Sequence, residues 1–242
     1  MQTCFHFHGD LVPLLRPRWR SGQPIRLPVT RAASIKDVIE AFGPPHTEIG
    51  GIDCDGRPMD FSCPVKAGQR FDILPVTAPW DVTRPTLLRP DPLPGLAFLV
   101  DGTLGRLARS LRMAGFDTLS NRLWQVPDLL RTLAREPRVL LSRNLDLLKR
   151  RQVVFGRAIR AEAVTAQLRE VLALFGIAAL PRALTRCLDC NGLLEPVAKS
   201  DILHRLEPLT IRYFEEFHRC RSCDRIYWAG SHVDRMRRTL AA

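Results

Sequence analysis

Residues 96–115 read Leu96-Ala97-Phe98-Leu99-Val100-Asp101-Gly102-Thr103-Leu104-Gly105-Arg106-Leu107-Ala108-Arg109-Ser110-Leu111-Arg112-Met113-Ala114-Gly115, and their periodicity changes in the middle. The five apolar residues at the start suit a strand buried on both faces, and the run stops at Asp101-Gly102. Leu104, Leu107, Ala108, Leu111 and Ala114 then recur at helical spacing, and Gly115 ends the helix. The same alternation continues downstream. Short strands are expected at 117–120, 138–142 and 152–155, and helices at 128–135, near 146–151 and at 162–175. Strands alternating with helices predict a parallel sheet with helices packed on it, an α/β fold.

The residues before this region follow a different plan. Thr3-Cys4-Phe5-His6-Phe7-His8 opens a short strand, Pro24 to Val29 alternates more cleanly, and Gln69 to Val76 is a closing strand. Between them, Ile35, Val38, Ile39 and Phe42 form one apolar stripe, with Ser34 as N-cap and Gly43 as terminator. This is an α+β pattern over 1–78. Five prolines between Ala78 and Gly95 predict a semi-rigid linker at 79–95 and hence a domain boundary. The longest uncharged apolar run, Val171 to Pro181, is too short to span a bilayer. No basic stretch followed by an apolar core opens the chain. The expectation is a cytoplasmic protein without a membrane partner.

The net charge of +11 over 242 residues is unevenly placed. Residues 1–78, 79–95, 96–186 and 187–242 carry +1, 0, +9 and +1. A basic domain between neutral neighbours suits a polyanion, with a merely solvated face as the alternative. Arg106, Arg109 and Arg112 spread over about 120° of one helix. Arg143 and the run Lys149-Arg150-Arg151 add to the supply. Contacts from such groups to a phosphate backbone are independent of sequence and sensitive to salt.

Seven cysteines without an export signal argue against a disulfide framework. Cys187-x-x-Cys190 and Cys220-x-x-Cys223, 29 residues apart, have the spacing of a four-thiolate structural zinc site. A redox dithiol would need one such pair beside a βαβ unit. Four protein thiolates leave no open position, so this zinc would stabilise a small C-terminal domain and do no chemistry.

A second candidate constellation lies at the carboxyl ends of the parallel strands, where loops converge in such sheets. Asp101 follows the first strand, Ser142-Arg143-Asn144 ends a later one, and Asp146 and Asp128 lie at helix starts nearby in sequence. Carboxylates gathered there would bind Mg²⁺ or Mn²⁺ and support phosphodiester hydrolysis. Each is equally well placed to be an ordinary N-cap or an exposed loop acid.

Residues 98–118, with Arg138-Val139-Leu140-Leu141-Ser142-Arg143-Asn144, resemble the Mut-seven C-terminal RNase family, a branch of the PIN-like nucleases. The ending, with Cys187-Leu188-Asp189-Cys190-Asn191-Gly192 and Tyr227-Trp228-Ala229-Gly230-Ser231-His232, is similar to that family's zinc ribbon. Residues 1–78, notably Ser34 to Gly43 and Pro45-His46-Thr47-Glu48, resemble the ubiquitin-like β-grasp domain that often precedes it. The resemblance implies a β-grasp domain at 1–78, a PIN-like RNase domain at 96–183 and a zinc ribbon at 184–242. It further implies metal-dependent RNA cleavage, with Asp101, Asp128, Asn144 and Asp146 at the catalytic centre. The family usually has Thr-Arg-Asp where this chain has Ser142-Arg143-Asn144, and residues 119–127 lack the acids that often precede the second helix. An amide in place of a carboxylate weakens cation binding, so a catalytically degenerate RNA-binding or ribosome-associated module is the competing expectation. The first domain runs into the proline-rich segment without a free Gly-Gly tail. That argues against conjugation and leaves a protein partner open.

Overall fold

The computed structural model describes residues 1–178 and 184–230. The end of the apolar run at Pro181, the expected boundary at 183/184 and the Ser231-His232 of the ribbon motif lie outside these. The chain divides into two compact units, Met1–Leu96 with Gln125–Ile159, and Ala97–Trp124 with Arg160–Ala242. Among the described residues no helix is long and apolar enough to cross a membrane.

The first unit begins with a ubiquitin-like domain. Strands β1 (Gln2–Phe7), β2 (Ile25–Pro28), β3 (Ile49–Cys54), β4 (Arg57–Pro58) and β5 (Arg70–Pro75) form one sheet in the order β2-β1-β5-β3-β4. The central β1–β5 pair is parallel and the β1–β2, β3–β5 and β3–β4 pairs are antiparallel. Helix α1 (Ile35–Phe42) is the expected one, and the Ser34 hydroxyl accepts from the Asp37 amide at 3.2 Å. Its Ile35, Ile39 and Phe42 are buried in the core with Phe5, Phe7, Ile52, Phe71 and Ile73, and Phe5 stacks on Phe71 at 5.6 Å. Gly43 ends the helix at φ 138°, and a Cβ there would lie 2.4 Å from the Leu14 carbonyl oxygen. Only glycine fits.

The central region is parallel α/β, as expected. Its elements are β6 (Phe98–Val100), α2 (Gly105–Met113), β7 (Thr118–Leu119), α3 (Val126–Arg135), β8 (Val139–Ser142), α4 (Leu145–Leu148), β9 (Gly156–Ala158) and α5 (Val164–Leu174). In the second unit β6 pairs in parallel with β7, and in the first β8 pairs in parallel with β9. All residues of β6 and β8 are buried, which explains their continuous apolar sequences.

Three local expectations are corrected. The last strand is β9, Gly156–Ala158, and not 152–155, because the Val153 amide closes a turn onto the Arg150 carbonyl at 2.9 Å. Helix α4 stops at Leu148, so Lys149 caps it and Arg150 and Arg151 fall in the following turn. Residues 79–95 are not a free spacer: Val82, Leu88, Arg89 and Leu93 are all buried. The Arg89 guanidinium donates to the carbonyls of Ile49 and Thr47, both at 2.9 Å, and of Val154 at 3.2 Å. It also lies over the rings of Trp80 and Phe155.

Arg89 belongs to a buried polar network around the turn His46–Glu48, which precedes β3. Glu48 is 0% exposed. Its carboxylate accepts from Arg157 and from the Ala158 amide of β9, each at 2.7 Å. The His46 ring contacts the Glu40 carboxylate at 2.7 Å and the Val153 carbonyl at 2.8 Å. Burial works against the Glu40 carboxylate, but His46 and then Lys36 hold its carboxyl below the ordinary range.

The second unit continues into the C-terminal segment, with β10 (Leu194–Val197), α6 (Lys199–Ile202), α7 (Pro208–Tyr213), β11 (Phe217–Cys220) and β12 (Ile226–Trp228). The three strands form an antiparallel sheet in that order. Removing the carboxylate in Glu48→Ala takes from the buried Arg157 its shortest partner, leaving the 3.4 Å contact with Asp10. A loss of about 3–5 kcal/mol is expected in urea unfolding, with Glu48→Gln losing less because an acceptor remains.

Candidate active site and metal centre

The four expected catalytic positions are divided between the units. Asp101 belongs to the second, and Asp128, Asn144 and Asp146 to the first. Asp101 leaves β6 at once, and its Oδ1 accepts from the Thr103 amide at 2.9 Å. The next residue, Gly102, is overlaid by the 121–122 backbone, for a Cβ there would lie 3.1 Å from the Asn121 carbonyl oxygen. Asp128 is the third residue of α3, and its carboxylate accepts from the Gln125 amide at 2.9 Å and pairs with Arg131. Those two donors hold its carboxyl below the ordinary aspartate range.

Asn144 caps α4: its Oδ1 accepts from the amides of Asp146 at 3.0 Å and Leu147 at 3.1 Å. Asn and Asp are about equally good at this task. A carboxylate at 144 would therefore keep the cap and change only the charge. Asp146, on the same turn, is 90% exposed and lies 3.8 Å from Lys149. The capping chemistry weighed from the sequence thus operates at Asp101, Asp128 and Asn144, and leaves Asp146 the most open carboxylate of the set.

The basic residues separate into two kinds. Arg106, Arg109, Arg143, Arg150 and Arg151 are exposed, and Lys149 is half-buried. Arg109 also pairs with Asp189 at 3.0 Å. Arg112 departs from the expectation of a phosphate-binding residue, because it is 5% exposed. Its guanidinium donates to the carbonyls of Thr118 and Asp189 at 2.8 Å and of Leu188 at 3.0 Å. Helical spacing fixes the angle of a side chain around the axis, not what packs against it. Here the segment 188–189 covers that angle and uses every direction in which the guanidinium could have met a phosphate.

The same segment carries the candidate metal centre. The Sγ atoms of Cys187, Cys190, Cys220 and Cys223 lie within 4.8 Å of one another. Cys187–Cys223 is 3.5 Å and Cys190–Cys220 is 3.4 Å. These separations are far too long for S–S bonds. They are close to the ~3.8 Å edge of a tetrahedron with ~2.3 Å metal–sulfur bonds. The donor set and its spacing therefore fit Zn²⁺.

Local backbone chemistry builds the two turns. The Gly192 amide faces Cys190 Sγ and the Ser222 amide faces Cys220 Sγ, both at 3.4 Å. Asn191 (φ 68°) and Asp224 (φ 59°) take the left-handed positions, which these residue types tolerate. At Gly192 a Cβ would lie 2.6 Å from Ser222 Oγ and 3.0 Å from Cys220 Sγ, so the second turn packs directly on it. Asn191 also accepts from the Thr118 amide and donates to Asp117, anchoring the knuckle to the end of β7.

Local donors distinguish Cys187 from Cys190. Burial works against a thiolate at Cys187, but the Cys190 amide and the Tyr227 hydroxyl bring its pKa down to about 6. Cys190 is pushed up to about 12 by burial and by its neighbouring sulfurs. Four thiolates at this spacing would repel one another without a cation, and the donor set suits Zn²⁺.

Two outcomes follow. Purified protein is expected to contain about one tightly held zinc, measured by elemental analysis, and Cys187→Ser is expected to lose it. Arg112→Ala leaves several buried carbonyls without their donor. It is expected to cost about 2 kcal/mol in urea unfolding without changing the salt dependence of RNA binding.

Residues 1–81 match the family described as Mut7-C ubiquitin. Residues 96–240 match the family described as Mut7-C RNAse domain. No curated protein and no solved structure matches the chain. The second match covers more than half of the sequence and includes the α/β elements, Asp101, the basic stretch and all four clustered cysteines. The chain belongs to the Mut7-C RNAse domain family, with that family's ubiquitin-like domain ahead of it.

Proposed function

We propose that this protein is a divalent-metal-dependent ribonuclease that hydrolyses RNA phosphodiester bonds. The observation that carries the proposal is the match of residues 96–240 to the RNAse domain. In this reading residues 1–78 are the ubiquitin-like module, 79–95 connect it, 96–183 are the catalytic domain and 184–242 the zinc ribbon. Asp101 is the principal ligand of a Mg²⁺ or Mn²⁺ ion, Asp128 and Asp146 assist, and Asn144 contributes only a carbonyl oxygen. These hard-oxygen donors suit such an ion and are poor ligands for a thiophilic one. A cation bound there would neutralise phosphate charge and make a water molecule easier to deprotonate.

The chain's own residues would hold the polymer. Arg106, Arg109, Arg143, Lys149, Arg150 and Arg151 meet backbone phosphates without regard to base sequence. Hydrolysis adds water across one P–O bond, leaving one product with a phosphate and the other with a hydroxyl. The four free, zinc-suited thiols fit a reducing, cytoplasmic setting. The ubiquitin-like domain, without a free conjugation tail, would engage a protein partner.

One observation favours a second reading. Asn144 is uncharged and caps α4, and Asp101 and Asp128 serve local amides. These roles would persist in a module that binds RNA or a ribosome without cutting it. The discriminating experiment measures cleavage of labelled single-stranded RNA in Mn²⁺ by the wild type, Asp101→Asn and Asn144→Asp. The nuclease reading expects wild-type cleavage, a drop of at least about a hundredfold in Asp101→Asn, and a gain in Asn144→Asp. Cleavage unchanged by Asp101→Asn overturns the site. Activity only in Asn144→Asp, with RNA still bound by the wild type, establishes the degenerate module.

A further inference from the structure

In the ubiquitin-like sheet, β1 and β5 run parallel with His6 opposite Asp72. Phe5, Phe7, Phe71 and Ile73 turn to the core, so the intervening residues take the outer face. His8 prolongs the alternation past the end of β1: its backbone is extended, and its amide donates to the Ile73 carbonyl at 3.0 Å. His6 and His8 therefore sit two residues apart on one face, with ring centroids 4.0 Å apart.

Both rings converge on one oxygen. His6 Nδ1 is 3.2 Å and His8 Nε2 2.8 Å from Asp72 Oδ1. The other carboxylate oxygen accepts from Arg70 Nε at 3.1 Å, which fixes the plane of the carboxylate and leaves Oδ1 to the imidazoles. Asp53, opposite Asp72 on β3, is turned away, its carboxylate accepting from the Gly56 amide at 2.6 Å. The three side chains are between 24% and 35% exposed, so the cluster opens to water.

We propose that His6, His8 and Asp72 form a second metal site, independent of the four cysteines and of the nuclease reading. It would take a divalent transition-metal cation in a two-histidine, one-carboxylate arrangement. All three donor atoms lie within 4.8 Å of one another. With bonds of ~2.1 Å, the two nitrogen–oxygen separations correspond to angles of roughly 85–100° at the ion, so each histidine could sit beside the carboxylate at neighbouring ligand positions. Positions not taken by these three side chains are left to water or to an incoming anion. Two imidazoles favour Fe²⁺, Co²⁺, Ni²⁺ or Zn²⁺ over Mg²⁺ and Ca²⁺. Two of the ligands stand on paired strands and His8 on the extended residue after β1, so little ordering remains for the ion to impose. The Arg70 cation works against the ion and keeps affinity moderate.

The test uses untagged, zinc-replete full-length protein titrated with Ni²⁺ by calorimetry, and with Co²⁺ while amide resonances are followed by NMR. One Ni²⁺ site is expected, with paramagnetic broadening centred on residues 6–8 and 70–72. The double variant His6→Gln/His8→Gln is expected to lose it, with an otherwise wild-type amide spectrum showing that the domain is folded. Asp72→Asn is expected to weaken Ni²⁺ at least tenfold. Absence of a site in the wild type, or broadening centred elsewhere, overturns the proposal. Unchanged affinity in Asp72→Asn also overturns it, by showing a two-histidine contact only.

Discussion

The Glu48 carboxylate has no exposed surface, and a buried charge must be met by donors or expelled. It is met by a guanidinium and an amide of β9, contributed more than a hundred positions later in the chain. Much of the first unit is arranged around that requirement. Arg89 satisfies the carbonyls flanking the same turn, which draws the proline-rich segment into the interior. His46 bridges α1 and the turn before β9. The ubiquitin-like module is thereby joined to one parallel strand pair by ionic and hydrogen-bonded contacts, which are directional in a way that apolar packing is not. Arg112 plays the comparable part in the second unit, binding the cysteine knuckle to the end of β7 through carbonyls alone.

What the sequence discloses of this architecture depends on how far each element's partners lie along the chain. Helix α1 is legible because its cap, its stripe and its terminating glycine occupy ten consecutive residues. The cysteine centre is legible for the same reason, as each CxxC makes its own turn. Strand β9 is not: Gly-Arg-Ala has no strand pattern, and Arg157 is tolerable inside because Glu48 and Asp10, far away in sequence, meet it. The prolines of 79–95 suggest a semi-rigid linker, and the burial of Val82, Leu88, Arg89 and Leu93 within it depends on partners elsewhere in the chain. His6 and His8 stand at a spacing that any exposed strand allows, and their relation to Asp72 appears only when β5 is placed beside β1.

The candidate catalytic residues show how one side chain can satisfy two demands. A carboxylate that leaves a strand and enters a helix is well placed to cap that helix, and keeps lone pairs that the cap does not use. Capping orients the group in advance, so an ion would meet a carboxylate already held in position. It also means that losing a charge, as at Asn144, costs the fold nothing. At such a position the charge can change with little structural penalty to oppose it.

Gly156 carries a different kind of consequence. A Cβ there would stand 2.8 Å from Leu148, 3.1 Å from Val153 and 3.2 Å from Thr47. Thr47 belongs to the ubiquitin-like module and the other three residues to the α/β region, so the two meet closely enough that an added carbon atom at 156 would push on side chains of both. Modules joined by a flexible tether can be exchanged between proteins with little regard for sequence at the junction. Exchanging one of these two would call for matching side chains on the other.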